Sequence, residues 1–285
     1  MQLRKVRLVI VLCTFVFAFS IVTQAQTERF RIALTGDEST INPYTYVTGY
    51  PGWNMLTLQY DTLYQLDTSG VPQPWLVTNT EVSEDGLTVT LDLHEDVTWQ
   101  DGEAFTAEDV VFTVNYFKEF NHGRFTRDLR PVESAEADGD YRVILTLTAL
   151  SPSLELGTLA DVPILPQHVW SEIEDPGAED ASFTIDVNIG TGPYKMVEYQ
   201  PDQFYRFEAN SDYFMGAPAV QELVFIIYAD LTGSIAALQS NEVDMLAQPI
   251  PPEQVDLLSM GGDIEVAAGP LFTTHMINYD ITRTI

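Results

Sequence analysis

Basic residues and cysteine are scarce in this sequence of 285 residues. Lysine and arginine together number 13 against 42 aspartates and glutamates, which gives a formal net charge of −29. Charge of this sign repels phosphate backbones and anionic lipid headgroups, so binding to nucleic acids or to a membrane surface is disfavoured. Cys13 is the single cysteine. The chain beyond it therefore has no disulfide, no thiolate nucleophile and no cysteine-based metal site.

Sequence motifs of catalysis and of metal or phosphate binding are also missing. A strand-like segment beginning with Pro193 follows Gly190-Thr191-Gly192, whereas a phosphate-binding loop needs a lysine or a helix start after its glycines. No Gly-x-Ser-x-Gly nucleophile elbow occurs, and nothing singles out one pair among the 42 carboxylates as the acid and base of a glycosidase. The histidines lack the short spacings of a zinc or nickel cluster; they are His94, His122, His168 and His275. We therefore expect a protein that is not an enzyme and that holds neither a metal nor a cofactor.

The first 25 residues predict an exported protein. Three basic residues between positions 4 and 7 precede an apolar run over residues 8–22, and Thr23-Gln24-Ala25 places small residues where a signal peptidase cleaves. The run is about 15 residues long, whereas a helix that spans a bilayer needs roughly 20, so an uncleaved membrane anchor is the alternative. We expect residues 1–25 to be a signal peptide. The mature protein then lies in the periplasm or on the extracellular face of the cytoplasmic membrane.

Strands and helices are predicted to interleave along the chain, which indicates an α/β fold. Strict alternation of apolar residues after Asp85-Gly86 predicts a hairpin and a strand over residues 87–93. Thr106 predicts the N-cap of a helix, with Asp109 completing a capping box and the helix reaching Phe120. Asn241 is predicted to end a later helix in the left-handed conformation. Further predicted strands cover residues 29–34, 141–147, 194–199, 204–209, 223–227 as a fully buried run, 264–266 and 272–279.

One polar, acidic loop stands beside a stretch that is dense in aromatic residues. Carboxylates in the loop can hold a cationic amino group, and aromatic rings supply flat contact area that suits peptides and sugars alike. The alternative is that the rings belong to the core and the acids cap turns. The candidate ligand-binding residues are Gly36, Asp37, Glu38, Tyr44, Tyr46, Tyr50 and Trp53.

Four segments of the chain carry distinctive sequence motifs. Residues 91–113 read LDLHEDVTWQDGEAFTAEDVVFT and residues 165–170 read LPQHVW. Residues 190–195 read GTGPYK, with NSDYF at 210–214, and residues 237–244 read ALQSNEVD. In this order the four segments resemble the extracellular solute-binding proteins of family 5, which are the oligopeptide-, dipeptide- and nickel-binding components of ABC importers. The family pattern has glycine where Asn241 stands, and asparagine tolerates the same backbone conformation.

The resemblance implies a type II periplasmic-binding-protein-like fold, of which this chain is expected to cover the first lobe without the second, closing lobe. Residues 26–60 and 180–285 would form that ligand-binding lobe around a mixed sheet. Residues 61–179 would form an inserted α+β subdomain. The strand over residues 273–278 resembles the segment that crosses between the lobes.

The function implied by the resemblance is the capture of dipeptides or oligopeptides and their presentation to the membrane-embedded permease of an ABC importer. The protein is expected to act as a monomer and to bind no nucleic acid. An oligosaccharide-binding or a nickel-binding member of the same family is the alternative within this class. A secreted hydrolase is the alternative from another class.

Overall fold

Strands and helices alternate in the computed structural model, which describes residues 27–39, 41, 43–44, 51–173, 176, 188–260 and 264–266. In chain order the strands are β1 Thr27–Leu34, β2 Tyr64–Leu66, β3 Pro72–Pro74, β4 Val77–Val82, β5 Thr88–Leu93, β6 Val132–Ala137, β7 Arg142–Leu147, β8 Tyr194–Gln200, β9 Phe204–Ala209, β10 Val220–Ile227 and β11 Met245–Leu246. The helices are α1 Gly52–Gln59, α2 Ala107–Glu119, α3 Phe125–Asp128, α4 Gln167–Trp170, α5 Leu231–Gln239 and α6 Pro252–Ser259, with a π-helical turn at Glu155–Leu159. The predicted signal peptide and the predicted strand over residues 272–279 lie outside the described residues.

A five-stranded mixed sheet contains strands from both ends of the described chain. Its order is β11-β1-β10-β9-β8. Strand β1 is parallel to both β10 and β11, whereas β10, β9 and β8 are antiparallel neighbours. The turn between β8 and β9 contains Pro201 and Asp202, as the sequence predicts. The mixed sheet expected for the first lobe is therefore confirmed.

A four-stranded antiparallel sheet, in the order β4-β5-β7-β6, carries helix α2 on one face. Val89, Leu91 and Leu93 of β5 are all buried on the face that the alternation predicts. Gly86, in the turn before β5, has a φ of 69°, a backbone conformation that favours glycine. The local turn signal and the apolar alternation thus agree with each other and with the observed hairpin.

The start of helix α2 is tied to two other segments through Asp109. The Asp109 carboxylate accepts the N–H of Thr106 at 2.9 Å, which confirms the predicted capping box. It also accepts the indole N–H of Trp99 at 3.3 Å and the N–H of Gln167 at 2.9 Å. Burial raises the pKa of Asp109 above its ordinary value, and these hydrogen bonds oppose the rise. Two of the segments that resemble the family, residues 91–113 and 165–170, therefore meet at one carboxylate.

Two strand predictions need correction. Residues 264–266 have no strand conformation. Strand β10 is present, but the predicted complete burial is wrong, because Leu223 and Phe225 are buried while Val224 and Ile226 are only half-buried. The first pair faces the main core. Ile226 lies on the opposite face, against a small cluster that includes Ala33 and Ala237, where the covering helix α5 shields the strand only in part.

One continuous apolar core joins the two larger sheets, with buried residues from β1 and β9 in the same cluster as those from α2, β5 and β7. The strands of the four-stranded sheet lie within residues 61–179, and those of the five-stranded sheet lie before and after that range. The division of the chain into a lobe and an inserted subdomain stays a prediction. Within the described ranges, each helix is too short or too polar to cross a lipid bilayer.

Candidate functional site

The loops that follow the parallel strands β1, β10 and β11 lie together at one edge of the mixed sheet, here called the carboxyl edge (residues 35–39, 228–230 and 247–250). The N–H of Tyr228 donates to Leu34 at 2.8 Å, and the N–H of Ala247 donates to Ala33 at 3.0 Å. The Thr35 hydroxyl donates to the side-chain oxygen of Gln248. Ligands of open α/β sheets bind outside the carboxyl ends of the strands, so this edge is the candidate site.

Sequence reasoning located the first of these loops but missed Tyr228 and Gln248. Both become neighbours of the first loop only because β10 and β11 pair with β1, and Gln248 is 213 residues away from Thr35. The sequence Gln-Pro-Ile-Pro at residues 248–251, in which two prolines indicate a loop, was the available signal. Without the strand order it could not be assigned to this edge.

The main chain at Gly36 is open to solvent. Gly36 is exposed, and a Cβ built on it would meet no atom of the described residues within 4 Å. Its neighbour Glu38 is half-buried. The backbone of this part of the loop is therefore accessible to a ligand approaching the carboxyl edge.

Asp37, the central residue of the loop, is bound by the protein itself. Its Oδ2 accepts the Tyr199 hydroxyl at 2.8 Å and the N–H of Asp202 at 2.7 Å. Its Oδ1 accepts the N–H of Ser39 at 2.7 Å and the Tyr205 hydroxyl. Both carboxylate oxygens are thus used to attach the loop to the β8–β9 hairpin.

The pKa of the Asp37 carboxyl lies far below the pKa values of the two tyrosine hydroxyls that donate to it. Partial burial acts to raise the pKa of Asp37, but hydrogen bonds from Tyr205, Asp202, Ser39 and Tyr199 outweigh it and hold the pKa below its ordinary value. Burial, together with the neighbouring carboxylate, raises the pKa of Tyr199 to about 12 and that of Tyr205 further. At neutral pH the aspartate is therefore ionised and both tyrosines are protonated donors.

The two described aromatic candidates lie against a different part of the protein. The ring of Tyr44 is stacked with Phe117, with centroids 6.4 Å apart, and it meets His122 edge-on at 5.5 Å. Both partners belong to α2 or the turn after it. Tyr44 is half-buried. Its ring therefore packs against the core at least in part, which agrees with the alternative that the aromatic residues of this stretch belong to the core.

Trp53 packs beside the same turn. The guanidinium of Arg124 lies 3.9 Å from the centroid of the Trp53 ring, and Phe125 lies 6.2 Å from it. Arg124 in turn pairs with Asp161. The structure therefore brings Tyr44 and Trp53 to one segment, residues 117–125, and Asp37 to the β8–β9 hairpin. Tyr46 and Tyr50 lie outside the described residues.

The family model of the bacterial extracellular solute-binding proteins, family 5, matches residues 71–285. The chain belongs to this family. The resemblance found in the four segments is thereby confirmed, and the mixed α/β fold with its mixed sheet is similar to the type II fold of this family.

Three family members illustrate the relationship. A putative ABC transporter peptide-binding protein of Brucella ovis is 32% identical over 201 residues, which are 70% of this chain and 37% of that protein. The oligopeptide-binding protein AppA of Bacillus subtilis is 30% identical over 166 residues, which are 58% of this chain and 30% of AppA. The crystal structure of the ABC transporter substrate-binding protein CtaP of Listeria monocytogenes has a TM-score of 0.70 at 32% identity, covering 81% of this chain and 46% of CtaP. The chain thus spans less than half the length of each.

Two of the family segments meet at the Gly190-Thr191-Gly192 loop, where the structure shows a packing role. The N–H of Gly192 donates to the carbonyl of Gln59 at 2.8 Å. The side-chain amide of Gln100, from the 91–113 segment, donates to the carbonyl of Gly192 at 3.0 Å. A Cβ on Gly190 would lie 1.8 Å from the Gln59 carbonyl oxygen. These segments therefore pack parts of the fold against each other, and their contacts do not indicate which solute is bound.

Asp61 is a fully buried carboxylate that sequence reasoning missed. It accepts the Trp75 indole N–H at 2.9 Å, the Thr191 hydroxyl at 3.0 Å, the Tyr213 hydroxyl at 3.3 Å and the side-chain amide of Gln65 at 3.4 Å. Burial raises its pKa to about 6, although these hydrogen bonds favour the charged form. Its position within the apolar stretch 55–66 was the one sequence signal. Among the described residues, no group of three or more His, Cys, Asp or Glu side chains is placed to hold a metal ion.

Proposed function

We propose that the protein captures a dipeptide or oligopeptide outside the cytoplasmic membrane and presents it to the permease of an ABC importer. Family membership supports a solute-binding role, and two of the relatives described above are named for peptide binding. The observation that carries the proposal is the exposed main chain of Gly36 at the carboxyl edge of the sheet. Extended peptides are recognised largely through main-chain hydrogen bonds, which need such an accessible backbone.

The proposed ligand site combines this backbone with aromatic side chains from the stretch of sequence that follows it. The loop over residues 35–38 would pair with the peptide main chain. Aromatic rings would line roomy pockets for its side chains; those proposed are Tyr44, Tyr46, Tyr50 and Trp53. The strongly negative net charge supports a preference for neutral or cationic peptides over anionic ones, because it repels the latter during approach.

The proposed role is binding and delivery, with no chemical step. The solute-binding proteins of this family serve transporters, and a ligand that is to be handed to a permease must leave unchanged. The apolar run near the N-terminus, with basic residues before it, supports export to the periplasm or to the extracellular face of the membrane. A monomer is proposed to deliver the ligand.

Replacement of Gly36 by alanine tests the proposed site. The added methyl meets no atom in the part of the chain that the structure describes, so the melting temperature should stay within about 1 °C, since surface substitutions usually change the free energy of unfolding by less than about 0.5 kcal/mol. Peptide affinity should fall at least about tenfold, because the methyl occupies the space where the peptide backbone approaches. That loss corresponds to about 1.4 kcal/mol of binding free energy. Titration calorimetry with a peptide selected by the full-length protein from a random pentapeptide mixture measures it.

Gly157→Ala is the matched control, because a Cβ at Gly157 also meets no described atom within 4 Å and the residue lies in the π-helical turn. It should change neither stability nor affinity. Equal peptide affinity for Gly36→Ala and the unsubstituted protein would place the ligand elsewhere. Failure of the unsubstituted protein to retain any dipeptide or pentapeptide would contradict the proposed function itself.

A further inference from the structure

A single carboxylate joins three separate parts of the candidate site. Asp37 accepts an N–H from its own loop (Ser39), an N–H from the β8–β9 turn (Asp202) and hydroxyls from β8 and β9 (Tyr199 and Tyr205). An ionised carboxylate offers about four acceptor positions. All of them are engaged by the protein, so a ligand ammonium group would have to displace one of these donors.

The two tyrosines form a rigid platform for this carboxylate. Their rings are stacked with centroids 4.7 Å apart and an interplanar angle of 13°. Tyr205 is fully buried and Tyr199 is half-buried. The Tyr205 hydroxyl also lies 3.2 Å from the carbonyl oxygen of Ser39, so its one proton is shared between that oxygen and the Asp37 carboxylate, and both contacts are with the same loop.

The two residues whose backbone N–H groups donate to Asp37, Ser39 and Asp202, have an unfavourable backbone conformation. Ser39 has a φ of 60° and Asp202 has a φ of 58°, in the left-handed region that is unfavourable for residues with a Cβ. Both present their N–H groups to Asp37 at 2.7 Å. Short hydrogen bonds to an ionised acceptor are about twice as strong as neutral ones, and here they compensate for the unfavourable backbone on both sides of the contact.

We propose that Asp37 is a positioning residue: it fixes residues 35–39 in the shape in which their main chain meets the peptide, and it does not pair with a cationic group of the ligand. This inference rests on the proposed peptide-binding function and changes the role of one residue in it. From the sequence, Asp37 was predicted to bind a cationic amino group of the ligand. The structure instead directs its charge inward, toward two tyrosine hydroxyls and two backbone N–H groups.

The test compares a neutral and a cationic form of one ligand. Asp37→Asn and Tyr205→Phe are prepared in the full-length protein, and each is titrated with a selected pentapeptide and with its N-acetylated form. A positioning role predicts that each substitution weakens both ligands by the same factor, about tenfold, because the loop loses its shape for either. Tyr205→Phe carries no charge change, so a loss there cannot come from a missing ion pair. Tyr199→Phe, which removes the half-buried donor, is the milder variant should Tyr205→Phe not fold.

A spectroscopic readout shows whether the cluster exists as described. In protein labelled with carbon-13 at the tyrosine Cζ, the pKa of Tyr199 should be about 12. It should fall toward the ordinary value of about 10 in Asp37→Asn, because the neighbouring negative charge is gone. Tyr194→Phe is the control, because its hydroxyl donates to the carbonyl of Val220 and not to Asp37. It should leave the Tyr199 titration and both affinities unchanged.

The outcomes separate the two proposals. A loss confined to the free-amine peptide in Asp37→Asn, with unchanged affinity in Tyr205→Phe, would show an ion pair with the ligand and overturn the positioning role alone. Unchanged affinity for both ligands in both variants would also overturn it. A parallel loss for both ligands, with the shifted Tyr199 titration, supports it. If the unsubstituted protein retains no peptide, the proposed function falls, and the positioning role falls with it.

Discussion

Gly190→Ala is expected to lower the free energy of unfolding by about 3 kcal/mol or more, at or beyond the upper end of the usual range for overpacking. The new Cβ would lie 1.8 Å from the carbonyl oxygen and 2.6 Å from the carbonyl carbon of Gln59. These are backbone atoms at the end of α1, so no side-chain rotation can relieve the contact. The loop would have to move and give up its hydrogen bonds with Gln100, at 3.0 and 3.2 Å.

Urea unfolding followed by tryptophan fluorescence measures this effect. Gly157→Ala serves again as the control, since the new Cβ would meet no atom within 4 Å among the residues that the structure describes. The expected result is a large fall in the urea midpoint for Gly190→Ala and little change for Gly157→Ala. Equal midpoints for the two variants would show that the Gly190 loop does not pack against α1 as described.

The second large effect concerns Asp61 and depends on pH. The pKa of this carboxyl is raised from 3.8 to about 6 in the folded protein. An acid whose pKa is raised by folding binds its proton more tightly in the native state, so its contribution to stability is complete below pH 3.8 and is lost as pH rises through about 6. The shift corresponds to about 3 kcal/mol of unfolding free energy.

Asp61→Asn isolates this contribution, because the amide does not titrate and keeps one oxygen for the Trp75 and Tyr213 donors. The difference in unfolding free energy between the unsubstituted protein and Asp61→Asn should change by about 2 kcal/mol between pH 4 and pH 7, to the disadvantage of the unsubstituted protein. Urea unfolding at pH 4, 5, 6 and 7 measures it. Asp212→Asn, at an exposed position, is the control for a change in net charge. A difference that does not vary with pH would mean that Asp61 stays ionised throughout.

Local signals predicted the helices and hairpins well. Asn241 illustrates this: the predicted left-handed residue has a φ of 59°, and the following N–H of Glu242 donates back to Ala237 at 2.8 Å. Such a helix end is determined by a few consecutive residues. Strands β4 and β6 were missed, because at least half of the residues in their sequences, VTNTEV and VESAEA, are polar. As edge strands of their sheet they need to bury only a few side chains.

The candidate site was predictable in part. Composition alone located the loop at Gly36 and Asp37, because turn-forming and acidic residues cluster there. The role of Asp37 could not be predicted, since Tyr205 lies 168 residues away and reaches it only through the sheet order. The same holds for Asp61, whose partner Thr191 is 130 residues away. Long-range hydrogen bonds to buried or half-buried carboxylates leave little trace in a single sequence.

The thermal stability of the full-length protein in the presence of candidate solutes is the most direct test of the central claim. A true ligand stabilises the folded state by RT ln(1+[L]/Kd), so the melting temperature should rise steadily with its concentration. We expect this rise with dipeptides or pentapeptides, and none with cello-oligosaccharides or Ni²⁺, with every peptide recovered intact. Stabilisation by the oligosaccharides or by Ni²⁺ alone, or cleavage of the peptides, would contradict the assignment as a peptide-binding protein.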